Sequence, residues 1–180
     1  VKVDWSGDGV FTGTGEDITQ DVLDGGRWTF GYGRDQTRQL SPGGIGRSGF
    51  ILCNADRVYS PENSSSPLFD FLQPGRRVEM DADLLGTPHP LFRGRLDDFT
   101  VIPDRGNRTV DFTALDDLYT FQNRTLSTAV YAGQRTGTLI GVILDSVGWP
   151  ADQRDLDVGG TFVPWWWIEG QDALSAIQDL

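Results

Sequence analysis

The sequence predicts an α+β fold that is mainly β: a small antiparallel β-barrel, or split barrel, followed by an α-rich module. Segments within residues 1–113 alternate apolar and polar side chains with a period of two, which is typical of half-buried strands. From about residue 114 the apolar residues recur at helical spacing. The 23 glycines and nine prolines follow no repeat and fit many tight turns. We therefore expect a β-barrel-like domain over 1–113 and an α/β module over 114–180.

Five or six short strands are predicted in the first domain. The clearest has Val78, Met80 and Ala82 alternating with charged residues, which predicts one buried and one solvated face. The other predicted strands contain Trp28 to Tyr32, Phe50 to Leu52, Leu91 to Leu96, Phe99 to Ile102 and Val110 to Phe112. Asp97 and Asp98 are expected to separate two of them. Turns rich in Gly, Pro and Asp lie between the strands, as in small barrels and sandwiches.

Helices are predicted in the second module. Apolar residues from Leu139 to Val147 have helical spacing, with Thr136 or Thr138 as the expected N-cap. The run Gly148-Trp149-Pro150 is a strong stop signal for this helix. A final helix is predicted from Ala173 to Leu180, and its pattern continues to the last residue. We therefore expect the module to begin a further domain that extends beyond this segment.

The charge of the chain argues against several classes of function. Fifteen basic and 26 acidic residues give a formal net charge of −11, which repels phosphate backbones and disfavours specific nucleic-acid binding. No apolar run approaches the roughly 18 residues that a membrane-spanning helix needs. Nothing near Val1 is typical of a signal peptide. Cys53 lies in an apolar run, and we expect it to be a small buried residue rather than a reactive thiol.

Residues suited to catalysis are few. His89 stands between two prolines with no nucleophile beside it in the sequence, which favours a turn. Two pairs of carboxylates, Asp97-Asp98 and Asp116-Asp117, are possible glycosidase acids, but turns and helix starts commonly contain such residues. We therefore expect no enzyme activity and no catalytic residues in this segment.

Metal and cofactor sites are also disfavoured. One histidine and one cysteine are too few for a typical zinc site. The acidic, glycine-containing run from Asp4 to Gly9 lacks the ligand spacing of a calcium loop, because position twelve is Gly15. A simple turn is the better interpretation, and no cofactor is expected.

The run Trp165-Trp166-Trp167 is the main candidate for an interaction site. In an extended segment Trp166 must face opposite to Trp165 and Trp167, so the rings cannot all enter one core. Packing in a core or against a partner subunit is the preferred interpretation. Stacking of exposed rings on sugars is the alternative.

Four motifs occur in an order that is recognisable. They are RDQTRQLSPG at 34–43, LCNADRVYSP at 52–61, LQPGRRV at 72–78 and LFRGRL at 91–96. This order resembles the N-terminal hub region of minor tail proteins of long-tailed phages, particularly those of actinobacterial hosts. The predicted helix over 139–150, the tryptophan strand and the last helix also resemble the segment that follows that region.

The resemblance implies a structural protein at the tail tip of a virion. It implies a β-barrel hub that forms a ring, generally a homotrimer, between the tail tube and the tip. The implied partners are a distal tail or tail-tube protein, tip or fibre proteins, and the tape measure protein. An acidic lumen in such a ring would let DNA pass without binding it. A carbohydrate-binding module of a tail or cell-surface protein is the alternative function.

Overall fold

The computed structural model of the chain describes residues 1–23, 29–34 and 43–180. Its strands and helices confirm the predicted α+β, mainly β class. The chain forms two compact units, one made of the described residues of Val1–Arg34 and Gly44–Asp117, and the other containing Leu118–Leu180. Trp28 of the first predicted strand and motif residues 35–42 lie outside the described residues.

One antiparallel sheet organises the first unit. Within the described residues its strands are β1 (Lys2–Val3), β2 (Thr29–Arg34), β3 (Gly43–Cys53), β4 (Arg77–Leu84), β5 (Thr87–Ile102) and β6 (Thr109–Asp116). The strand order is β1-β4-β5-β6-β3-β2, and the pairs β1–β4, β4–β5, β5–β6 and β3–β6 are antiparallel.

The closed-barrel form of the prediction is not observed in the described part of the chain. Strands β1 and β2 are the opposite edges of the sheet. A barrel closes only when its edge strands pair with each other. Strand β1 has two residues, and Lys2 already forms a bridge to Asp17. Within the described residues the sheet is therefore open.

The expected break at Asp97 and Asp98 is wrong, because residues 87–102 form the single strand β5. The register against β6 shifts between Leu96 and Asp98, so Asp97 is accommodated as a β-bulge. A bulge inserts one residue without ending the hydrogen-bonded ladder. Two adjacent acids can therefore occur inside a strand when their side chains reach solvent.

Gly94 allows a close approach of the backbones of β5 and β6. A Cβ atom at this position would lie 2.2 Å from the carbonyl oxygen of Leu115 and 2.8 Å from the ring of Phe92. Any larger residue would push β5 away from β6.

Phe112 lies at the centre of the core of the first unit. Its buried ring stacks on Phe50 at a centroid distance of 5.5 Å and lies 5.4 Å from the ring of Phe99. Trp5 and Tyr59, from two segments outside the sheet, place their rings 6.2 and 6.1 Å from it. Aromatic pairs of this kind stabilise a fold by about 0.5–1.5 kcal/mol each beyond area burial. Phe112 therefore joins the sheet to the segments that cover it.

The acidic run from Asp4 to Gly9 forms the turn expected from the sequence. The buried Asp4 carboxylate accepts hydrogen bonds from the N–H groups of Gly7 (2.6 Å), Asp8 (3.2 Å) and Gly9 (2.9 Å). Burial raises the pKa of this carboxyl, but the hydrogen bonds from Gly9 and Gly7 outweigh burial and hold the pKa below its ordinary value of 3.8. The ionised carboxylate therefore stabilises the turn.

Cys53 is exposed, so the expectation of a buried thiol is wrong. The inward positions of β3 are the even-numbered residues Ser48, Phe50 and Leu52. Cys53 comes next at the end of the strand, and alternation places it on the outer face.

The second unit has its own small core. Its elements are α1 (Leu118–Gln122), β7 (Thr125–Leu126), β8 (Tyr131–Arg135), α2 (Thr136–Val147), β9 (Phe162–Trp166), β10 (Gln171–Asp172) and α3 (Ala173–Gln178). Strand β8 pairs with β9, and β7 pairs with β10, both antiparallel. Phe121, Ile143, Ile168 and Ala173 are buried between these elements.

The predicted N-cap of α2 at Thr136 or Thr138 is wrong, whereas the predicted end of the helix at Gly148 is confirmed. Thr136 and Thr138 are both helical, and the N-cap residue Arg135 makes no side-chain cap. The first N–H groups of the helix donate instead to backbone carbonyls. The N–H of Thr136 donates to the carbonyl oxygen of Thr161 (3.2 Å), and the N–H of Gly137 donates to that of Val158 (3.1 Å). Gly148 ends the helix in the left-handed conformation, with φ of 74°.

Phe112→Ala is expected to lower the free energy of unfolding by roughly 3–5 kcal/mol, because it removes a buried ring and leaves a cavity. Urea unfolding followed by circular dichroism measures this change. Phe69→Ala is the matched control, since this ring is 42% exposed. A loss at Phe112 no larger than that of the control would contradict the central role of this ring.

Asp4→Asn is expected to lower the free energy of unfolding at pH 7 by about 2–3 kcal/mol, since an amide cannot replace a carboxylate that accepts three N–H groups. Because the folded pKa is depressed, the stabilisation is present above the unfolded value of 3.8 and is lost as the pH falls through the lower folded pKa. The difference in the free energy of unfolding between wild type and variant should therefore shrink below pH 3.8.

Denaturant unfolding at several pH values between 2.5 and 7 measures the free energy of unfolding of wild type and variant. Asp70→Asn is the control, because Asp70 is exposed. If the free energy of unfolding of Asp4→Asn differs from that of wild type by the same amount over this whole pH range, the ionised carboxylate does not stabilise the turn.

Candidate interaction surface

The tryptophan run lies on a two-stranded ribbon in the second unit. In this ribbon β8 and β9 pair with the register Tyr131↔Trp166 and Ala132↔Trp165. The strand β9 ends at Trp166. Pro164 within β9 cannot donate a backbone hydrogen bond, and such prolines are tolerated only on edge strands or at bulges.

Trp166 attaches the ribbon to the core of the second unit. Its ring is partly buried and packs against the core cluster that contains Phe121 and Ile143. The ring of its cross-strand partner Tyr131 lies 6.0 Å away. Pairs of aromatic residues facing each other across strands stabilise a ribbon by about 0.2–1 kcal/mol. Trp166 is therefore a packing residue.

Trp165 and Trp167, the exposed aromatic pair, face the opposite side. Their exposed fractions are 67% and 57%. They are two residues apart in an extended segment, so both project away from the face that contains Trp166. Val130 and Phe162 on the same ribbon are also exposed, but Phe162 lies at the other end of β9 and alternates with Trp165. Exposed large aromatic rings such as those of Trp165 and Trp167 are typical of contact sites.

The ribbon contains one charged residue, Arg135, at the end of β8. Residues 130–134 and 162–168 include no Asp, Glu, Lys or Arg, although 23% of the whole chain is charged. The nearest charges are at the ribbon ends, on Arg135 and Glu169. The centres of protein interfaces are depleted of charge and enriched in aromatic residues. The chemistry of the ribbon thus suits an apolar partner surface.

The predicted interface residues therefore fall into two groups. Trp165 and Trp167 lie at the surface, and Trp166 faces the core. A role of the three tryptophans in binding stays a prediction. Sequence reasoning did not include Val130 or Phe162. The apolar pair Val130-Tyr131 before Ala132-Gly133 is the signal that could have indicated the second strand of the ribbon.

The residues considered for catalysis occupy surface or structural positions. His89 is exposed and pairs with Ala82 near the end of the β4–β5 hairpin. Asp97 and Asp98 are exposed at the bulge. Asp116 accepts a hydrogen bond from the N–H of Gly46 at 2.7 Å. Asp117 forms an ion pair with Arg95 at 3.2 Å.

The described ranges contain neither a cluster of metal ligands nor a helix suited to a membrane. Among residues 1–23, 29–34 and 43–180, no group of three His, Cys, Asp or Glu side chains could hold a metal ion. No helix within the same ranges has the length and apolarity needed to cross a bilayer.

Comparison with known proteins found similarity among solved structures. No protein-family profile matches the sequence, and no curated protein matches it significantly. Among solved structures, the chain is similar to the Escherichia coli c3393 protein, with a TM-score of 0.52 and 10% sequence identity. The match covers 87% of this chain and 40% of that one.

The matched protein is described as a component of the type VI secretion system that is structurally similar to the T4 bacteriophage tail proteins gp27 and gp5. This chain therefore shares a fold with a secretion-system component related in structure to phage tail proteins. It spans less than half the length of that relative.

Trp165→Ala and Trp167→Ala are each expected to change the free energy of unfolding by less than about 0.5 kcal/mol, because exposed substitutions have small effects. Trp166→Ala should lower the free energy of unfolding by about 2 kcal/mol. This is less than the loss expected for a fully buried ring, because Trp166 is only partly buried. Thermal and urea unfolding of the three variants measures the difference. Equal losses in all three would contradict the two-faced arrangement.

Proposed function

We propose that this chain is a structural part of a phage-tail-like assembly, and that it acts by binding neighbouring subunits rather than by catalysis. In this proposal it belongs to a hub ring at the tail tip of a virion, where the tail tube meets tip or fibre proteins. The observation that supports it most is the fold similarity over 87% of the chain to a secretion-system component resembling phage tail proteins. The order of the four sequence motifs points independently in the same direction.

The exposed aromatic pair supports an assembly role. A ring of identical subunits needs a surface that is stable in solution before assembly and apolar enough to be buried afterwards. Trp165 and Trp167 offer large, rigid rings whose burial orders few rotatable bonds. Residues 162–168 around them carry no charge, so a partner that covers this stretch desolvates no ion within it. We propose that these rings are buried between subunits or against the tail-tube protein.

The oligomeric state of the full-length protein tests this proposal. Light scattering should give a trimer, either alone or with the tail-tube protein of the same particle. The double variant Trp165→Ala/Trp167→Ala should reduce assembly at least tenfold, because aromatic residues dominate the binding energy of interfaces. The matched control is Phe69→Ala/Phe71→Ala, which removes two exposed rings from the first unit.

Assembly that is lost only in the tryptophan variant would support the proposal. A persistent monomer in the presence of the tail-tube protein would contradict the ring. Equal loss in both double variants would contradict the assignment of the interface to the ribbon.

Sugar binding is the second candidate, because two exposed tryptophan rings on one face can also stack on a saccharide. Tryptophan fluorescence during titration with a soluble cell-wall oligosaccharide distinguishes the two functions. A saturable change that disappears in Trp165→Ala/Trp167→Ala, without any oligomer, would favour the carbohydrate module.

A further inference from the structure

An arginine-lined cleft lies in the first unit, far in sequence from the ribbon. It is bounded by the Asp4–Gly9 turn and by the start of β4, and its volume is about 550 Å³. Arg76, Arg77 and Arg95 line it. Three guanidinium groups at one place are unusual in a chain with a formal net charge of −11.

Two of these arginines face each other directly. Arg77 on β4 and Arg95 on β5 are cross-strand partners, so their side chains leave the same face of the sheet. Like charges in this position destabilise a sheet. The neighbouring pair Glu79 and Arg93 has opposite charges and forms an ion pair. The Arg77–Arg95 pair therefore contributes nothing favourable to the sheet by itself.

The positive charge of the cleft is only partly compensated. Among the described residues, no carboxylate forms an ion pair with Arg76 or Arg77. Arg95 pairs with Asp117 at 3.2 Å, but both side chains are more than a third exposed. Exposed ion pairs of this kind are weak. An incoming anion can therefore compete for Arg95.

The carboxylates that line the cleft are engaged with their own turn. The oxygens of Asp4 accept hydrogen bonds from Gly7, Asp8 and Gly9, so they point into the turn. Asp8 accepts a hydrogen bond from the N–H of Val10 at 2.9 Å. Neither carboxylate forms an ion pair with the three arginines.

Local contacts hold the guanidinium groups of Arg76 and Arg95 in place. Arg76 donates from Nε to the carbonyl oxygen of Phe71 at 3.2 Å, and Arg95 donates from Nη1 to that of Gly75 at 3.3 Å. Gly7 leaves room for Arg76, because a Cβ atom at Gly7 would lie 2.4 Å from Nη1 of that arginine. The left-handed φ of Gly7, 78°, also favours glycine. The side-chain entropy lost on binding a ligand is therefore reduced.

We propose that this cleft binds a carboxylate-bearing segment of a partner protein. The planar guanidinium fork matches a carboxylate and can hold it through two parallel hydrogen bonds. The volume suits one or two side chains rather than a long polymer. A nucleic acid is disfavoured, because the net charge of −11 repels a continuous phosphate backbone. The cleft and the ribbon consist of different residues, and the proposal does not depend on ring formation.

The test is a nuclear magnetic resonance titration of the whole chain with succinate as the carboxylate probe, and with inorganic phosphate in a parallel arm. Succinate should produce saturable shifts of the amide signals of Gly7, Gly9 and Gly75. Arg77→Gln should weaken the succinate affinity about tenfold or more, as expected for losing charge-assisted hydrogen bonds. Arg57→Gln is the matched control, since Arg57 pairs with Glu62 outside this cleft.

Stability separates a binding role from a structural one. Because Arg77 faces Arg95 and has no ion pair with a described residue, Arg77→Gln should leave the Tm at low salt unchanged or slightly higher. Weakened succinate binding together with an unchanged Tm supports the proposal. A lowered Tm in Arg77→Gln would instead make Arg77 a structural residue and overturn it.

Three other outcomes of the titration would also overturn the proposal. They are shifts that never saturate, equal affinity in Arg77→Gln and Arg57→Gln, and binding of phosphate without succinate. Binding of both probes, with succinate at least as tight as phosphate, supports a carboxylate site.

Discussion

The packing of aromatic rings around Phe112 is the interaction on which the first unit depends. The sheet alone has one apolar face, and an uncovered face would remain in water. Trp5 and Tyr59 bring the N-terminal segment and the loop after β3 onto that face through their contacts with Phe112. The Asp4–Gly9 turn contains the anchored Trp5. The position of this turn beside Arg76 and Arg77, and hence the cleft, therefore depends on the same aromatic cluster.

Alternation along strands explains both candidate binding surfaces. In β4 the even-numbered residues Val78 and Met80 enter the core, so Arg77 must face outward. In the ribbon Trp166 turns inward, so Trp165 and Trp167 must turn outward. One constraint of backbone geometry thus produces a charged surface in the first unit and an aromatic surface in the second. The two surfaces suit partners of different chemistry.

The sequence allowed much of the fold to be predicted, because its signals were local. The alternation at Val78 and Met80 and the stop at Gly148 depend on neighbouring residues only. The bulge at Asp97 and the backbone capping of α2 were not predictable, because each depends on another part of the chain. An open sheet and a closed barrel also have the same strand pattern, and only the pairing of the edges distinguishes them.

The candidate sites show the same limit. The opposite orientation of Trp166 and its neighbours follows from strand geometry, but which side meets the core does not. The cleft was missed because residues from 4–9, 76–77 and 95 come together only after folding. In the sequence, Pro74 to Val78 indicates only a turn that leads into a strand. The opposing pair Arg77 and Arg95 becomes visible only when the register of β4 against β5 is known.

The central claim, that this chain is built into a tail-like ring through its aromatic surface, is tested most directly by a cryo-electron microscopy map of the intact particle. The account predicts density for this fold in a ring at the end of the tail tube, with Trp165 and Trp167 buried against a neighbouring subunit. A map that places the chain away from the tube axis, or that leaves both rings in solvent, would contradict it.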